Sequence, residues 1–161
     1  MAIERMGFET NKRIHKKFGN ISQTVTIGGK ECRFRSLGEK RLANYLELLK
    51  ISGHIQDWAF EQTTFRTSAG EPFYIVDFDI LNTDGTFEYM EFKGMYKQSD
   101  NTKLQLLFEC KPEIQFTMVF EDRTSAAKFA RRKVSRFCKR VCLLTARGLM
   151  DFDGKTTRKR K

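Results

Sequence analysis

The chain has 161 residues, 40% hydrophobic and 31% charged, which suits one domain with a proper core. Lys and Arg number 30 against 20 Asp and Glu, a net charge of +10; this points to a polyanionic partner, most commonly nucleic acid, without deciding between binding and catalysis. No apolar run approaches the roughly 18 residues of a membrane span and no signal-like apolar core opens the chain, so no membrane association and a cytoplasmic location are expected. Cys32, Cys110, Cys138 and Cys142 lack paired metal-ligand spacing and are expected to be reduced, buried and inert.

Residues 1–23 are expected to form a basic N-terminal arm, with Lys12, Arg13, His15, Lys16 and Lys17 clustered in it. Thr24 to Phe34 predicts a hairpin about Gly28-Gly29. Ser36-Leu37-Gly38-Glu39 is a capping-box pattern that opens a helix, carried on by Leu42, Leu46 and Leu49 and stopped near Gly53. Glu39 falls on the apolar stripe, which leaves two accounts open: a capping residue alone, or an acid also aimed at the sheet. Ile55 to Phe65 reads as a strand or strand pair with Trp58, Phe60 and Phe65 in the core, and Thr67 to Pro72 as a polar loop.

Tyr74 to Lys93 carries the chemistry. It reads as two strands around Asn82-Thr83-Asp84-Gly85, with Gly85 supplying the positive φ of a three-residue loop. That loop sets Asn82 opposite Thr86 and, counting back, Asp77 opposite Glu91. Period-two alternation puts Lys93 on the face of the two acids and turns Val76, Phe78 and Phe92 to the other. Facing carboxylates repel unless a cation sits between them, and Mg²⁺ is the hard ion that oxygen ligands suit. Asp79 shares the Asp77 face by alternation and is its main rival.

Beyond the hairpin, Gly94, Tyr96, Lys97 and Ser99 read as a polar loop. Asp100 is the expected N-cap of a helix bearing Lys103, Leu104, Leu107 and Phe108, stopped near Pro112. Lys97 and Lys103 stand close enough to the site for phosphate contact. Ile114 to Phe120 predicts a central strand buried on both faces. Thr124 to Arg147 predicts a helix with an apolar stripe of Ala127, Ala130, Val134, Phe137 and Val141. Its other faces carry Lys128, Arg131, Arg132, Lys133, Arg136, Lys139 and Arg140, read as a DNA-backbone surface. The fold class expected is α/β, a central mixed β-sheet flanked by helices over residues 24–150, followed by a basic tail over 151–161.

Asp77, followed fourteen residues later by Glu91-Phe92-Lys93-Gly94, resembles the D…(D/E)-x-K signature of the restriction-endonuclease-like nuclease superfamily. Glu91 to Tyr96, Ser99-Asp100, Lys103-Leu104 and Lys111 to Phe116 are similar in order and spacing to phage endonucleases of the T7 endonuclease I type, the likeness running from about Phe34 to Phe120. Val76 stands where the pattern often has Pro. The resemblance implies a restriction-endonuclease-like core and a Mg²⁺-dependent endodeoxyribonuclease, with Mn²⁺ able to substitute. It further implies that Asp77 and Glu91 are metal ligands, that Glu39 is a third acid, that Lys93 orients the attacking water, and that Glu61 is a site neighbour. Branched DNA such as Holliday junctions is the implied substrate, and a homodimer the implied assembly. A homing or restriction-type endonuclease is the enzymatic alternative, and a non-catalytic DNA-binding protein the alternative of another class. His15 and His54 lack the partners of a histidine-metal nuclease.

Overall fold

The computed structural model describes residues 22–154. Most of the expected basic arm and residues 155–161 of the basic tail lie outside them. The chain forms β1 (Gln23–Ile27), β2 (Lys30–Phe34), α1 (Leu37–Ile51), β3 (Ile55–Phe60), β4 (Thr64–Arg66), β5 (Pro72–Ile75), β6 (Phe78–Asn82) and β7 (Phe87–Lys93). It continues with α2 (Gln98–Cys110), β8 (Phe116–Phe120), α3 (Arg123–Ala130), a 3₁₀ turn (Lys133–Phe137), β9 (Arg140–Thr145) and β10 (Gly148–Asp151). The folded part thus reaches one residue further at each end than the expected 24–150, and Phe152 packs on the core.

The architecture is mixed α/β. Six strands form one mixed sheet in the order β10-β9-β8-β7-β6-β3, with β7, β8 and β9 parallel and the other pairs antiparallel. The pairs β1-β2 and β4-β5 stand as separate ribbons. Each face of the large sheet has its own core. Leu42, Ala43 and Leu46 of α1 pack on Trp58, Phe60, Phe78, Ile80, Met90 and Phe92, while Leu104, Leu107 and Phe108 of α2 and Phe129 of α3 pack with Phe116, Met118 and Phe120 on the other side. Every residue of β8 is buried, as a strand covered on both faces must be. Among the described residues no helix is long and apolar enough to cross a membrane.

The central hairpin forms in the register its turn dictates, Phe78 opposite Met90 through Leu81 opposite Phe87. Asn82 N–H donates to Thr86 O at 2.9 Å, and Gly85 adopts φ 83°. Its first arm, however, is not one strand. β5 pairs with β4 in a small ribbon, and the chain steps at Val76-Asp77 into β6. Alternation is interrupted there, so Val76 joins the α2 side of the sheet instead of sharing the face of Phe78 and Phe92.

Three further expectations are corrected. α2 starts at Gln98 with Lys97 as its cap residue, and Asp100 instead accepts the Lys97 backbone N–H at 2.9 Å. Cys110 is exposed on the helix end, although all four thiols are free and burial pushes those of Cys138 and Cys142 up to about 12. The helix expected over Thr124 to Arg147 ends at Ala130. Arg132 is extended, and from Arg140 the chain is strand. Cys142, Leu143 and Leu144 are apolar on consecutive positions, which a helix stripe cannot bury together but a strand between two cores can. The free edge of β8 takes them up, Met118 opposite Val141 and Phe120 opposite Leu143. Ala130 and Phe137 are left exposed, the latter stacked on Phe108 at 5.7 Å between centroids.

Candidate active site

The step between β5 and β6 places Asp77 beside Glu91 and Phe92 near the C-terminal end of β7, and two bonds from backbone N–H groups lock it there. Asp77 N–H donates to Glu91 Oε2 at 3.2 Å, and Phe92 N–H donates to Asp77 Oδ2 at 2.9 Å. One oxygen of each carboxylate is therefore tied to a backbone N–H at or next to the other residue. The second oxygen of each meets a cation: Asp77 Oδ1 lies 3.1 Å from Arg35 Nη2, and Glu91 Oε1 lies 2.8 Å from Lys93 Nζ. Both acids are buried, at 2% and 5% exposure. Burial raises the pKa of Asp77 well above the carboxylate range, and the charge of Glu91 raises it further. Burial raises Glu91 too, against the opposing pull of Lys93. Burial disfavours the Lys93 ammonium, but Glu91 and Asp100 outweigh it and raise its pKa; Asp100 Oδ1 is 3.6 Å away.

Glu39 approaches from the first turn of α1. Both halves of its capping box form: Ser36 Oγ accepts Glu39 N–H at 3.1 Å, and Glu39 Oε2 accepts the backbone N–H groups of Ser36 at 3.3 Å and Arg35 at 2.6 Å. Its Oε1 lies 3.9 Å from Arg35 Nε, so the cap aims the acid at the cluster as well. Glu61 closes the group from the end of β3. It holds a positive φ of 51°, its N–H donates to Asp77 O at 2.8 Å, and its Oε1 lies 2.7 Å from Arg35 Nη2.

Arg35, Asp77, Glu91 and Asp100 line a cleft of about 930 Å³, with Glu61 behind Arg35 and outside its lining. Glu39, Asp77, Glu91, Lys93, Lys97 and Lys103 all border it, the residues the sequence singled out on separate elements. Asp79 does not; its Oδ2 accepts Thr63 Oγ1 at 2.7 Å and its Oδ1 is buried without a partner, so as a rival ligand it is placed away from the acids. The basic residues expected on one helix are dispersed. Lys128 lies in the last turn of α3, Arg131 and Arg132 follow the helix, and Arg136 lies in the 3₁₀ turn. Lys139 binds Glu88 at 3.1 Å and Gln115 at 2.8 Å, and Arg140 binds Asp151 at 2.8 Å, which makes both structural in part.

No protein-family model matches the sequence, and no curated protein matches it significantly. Among the described residues no group of three or more His, Cys, Asp or Glu stands ready to enclose an ion. The donors are nonetheless all hard oxygens. Asp77 and Glu91 are buried, are raised in pKa by their confinement, and already turn their remaining oxygens to cationic nitrogens. That is a cation-seeking set of the type Mg²⁺ uses, one or two carboxylates with the other positions left to water and substrate. Sequence reasoning missed Arg35 and Tyr74. Tyr74 is buried and lines the same cleft as Glu91, and burial raises its pKa well above the usual phenol value. Arg35 lies directly before the capping box, whose N–H-accepting Glu39 was the available clue; no spacing rule connects it to Asp77.

Proposed function

We propose that the chain is a Mg²⁺-dependent endodeoxyribonuclease with a restriction-endonuclease-like core, cutting branched DNA such as four-way junctions as a homodimer. The observation that carries this reading is the bonding of Asp77 N–H to Glu91 and of Phe92 N–H to Asp77, which leaves one carboxylate oxygen of each buried acid free of these bonds in a common cleft beside Lys93. Asp77 and Glu91 would hold the ion and Glu39 would support it. A divalent ion bound there lowers the pKa of water and offsets charge on a phosphate. Lys93, fixed by Glu91 and Asp100, orients the attacking water and favours its deprotonated form. Lys97 and Lys103 at the cleft border take the flanking phosphates. Symmetric cutting of a junction needs two sites, hence the dimer. Mn²⁺ meets the same oxygen set and substitutes.

The test is incubation of a four-way junction and a matching linear duplex with protein and Mg²⁺ or Mn²⁺. Paired cuts near the branch point are expected. Asp77→Asn or Lys93→Ala removes cutting by at least about a hundredfold while leaving junction binding largely intact. Cuts at a fixed linear sequence would replace the branched substrate with a homing or restriction-type one. One observation favours a second reading: Arg35 already neutralises Asp77, as suits a DNA-binding protein that needs no metal. Salt-sensitive binding without cleavage would establish that reading instead.

A further inference from the structure

The Arg35 guanidinium contacts the one Asp77 oxygen left for a divalent ion. Its Nη2 lies 3.1 Å from Asp77 Oδ1 and 2.7 Å from Glu61 Oε1, and its Nε 3.9 Å from Glu39 Oε1. Asp77 Oδ1 is the oxygen its carboxylate has left after Oδ2 accepts Phe92 N–H. A dication on that oxygen and a guanidinium on the same oxygen repel at contact distance, so the two exclude each other. We infer that Arg35 is an internal cation that competes with the divalent metal for Asp77, holding the metal-free cluster together and yielding when metal enters. This rests on the metal-site reading above.

The surroundings suit a competitor of limited strength. Asp77 is enclosed, with 3% of its side chain exposed, whereas 61% of the Arg35 side chain is open to solvent. The carboxylate is costly to leave unpaired, yet the guanidinium loses little by swinging out along the open cleft. Glu61 supplies the place to swing to. Its left-handed backbone, tied to Asp77 O, sets the 37%-exposed carboxylate against Arg35, where it retains one Arg35 nitrogen after Asp77 lets go. The acids served by Arg35 and Lys93 outnumber them, since Arg35 faces Asp77, Glu61 and Glu39, and Lys93 faces Glu91 and Asp100. The cluster thus has room for the extra positive charge once the guanidinium moves aside.

The experiment is calorimetric titration of the full chain with Ca²⁺ and Mn²⁺ in the absence of DNA, together with melts in EDTA and in saturating Ca²⁺. Arg35→Gln is expected to bind either ion about two- to fivefold more tightly than the unsubstituted protein, the gain of removing one ion pair with a solvent-exposed cation from competition. Its melting temperature falls in EDTA and recovers in Ca²⁺. Arg35→Lys keeps the charge without the fork and falls between the two. Unchanged or weaker metal affinity in Arg35→Gln, with binding still abolished by Asp77→Asn, overturns the competition while sparing the metal site. Failure of both the unsubstituted protein and Arg35→Gln to bind any divalent ion, or binding indifferent to Asp77→Asn, overturns the metal site and the competition together.

Discussion

Gly38 lies in the first turn of α1, where helix propensity alone favours alanine by about 1 kcal/mol at most. The structure reverses the sign. A Cβ at Gly38 would overlap the Cζ and Cε1 atoms of Phe92 and lie 3.0 Å from Cε2, where ordinary carbon contacts are about 3.5–4 Å. Phe92 is 5% exposed within the α1-side core, so its ring has nowhere to go without shifting the helix or β7. Overpacking of this kind costs about 1–3 kcal/mol, which exceeds the propensity gain. Gly38→Ala is therefore expected to lose about 1–2 kcal/mol, lowering the Tm by roughly 2–8 °C for a chain of this size. Phe92 also supplies the N–H that fixes Asp77 Oδ2, so cleavage should fall with stability. Thermal melts of Gly38→Ala, Phe92→Leu and the double variant decide it. The smaller side chain relieves the overlap, so the double variant should lose less than the two single losses combined. A Tm for Gly38→Ala equal to or above that of the parent would refute the close approach of α1 to β7.

The pH dependence of the metal-free protein has a definite sign. Asp77 and Glu91 are raised in the folded state, so folded protein holds protons that the unfolded chain releases, and their contribution is most favourable at acidic pH and lost as pH rises from the usual carboxylate values through the folded ones. Melts in EDTA from pH 5 to 8 should show a falling Tm that Asp77→Asn flattens; a rising Tm that this substitution leaves unaltered would contradict it. Ser36→Ala removes the acceptor for Glu39 N–H and costs about 1 kcal/mol with cleavage kept, whereas Glu39→Gln keeps the cap and lowers cleavage. Equal cleavage by Glu39→Gln and parent would confine Glu39 to capping. Lys139→Ala strips an ion pair from Glu88, which is 6% exposed and retains Thr117 Oγ1 at 2.7 Å. It should cost about 1–3 kcal/mol in chemical denaturation. Its junction affinity should change by no more than the loss of one surface cation; a larger fall would make Lys139 a principal DNA contact.

Local signals in the sequence settled what depends on neighbours along the chain. The Asn82 to Gly85 turn and period-two spacing fixed which residue of β7 stands opposite Asp77, because a hairpin's register follows from its loop. Ser36 and Glu39 announced α1, and the apolar run after Gln115 announced the buried β8. Tertiary structure alone decided the rest. Val141 to Leu144 became strand because the open edge of β8 was there to pair with, a contact no window of sequence contains. The step at Val76-Asp77 arose from the pairing of β5 with β4, and the placement of Arg35 among Asp77, Glu61 and Glu39 came from four separate chain segments meeting in space. Pattern and capping are short-range physics written into adjacent residues, whereas the balance of buried charge is set by distances in space.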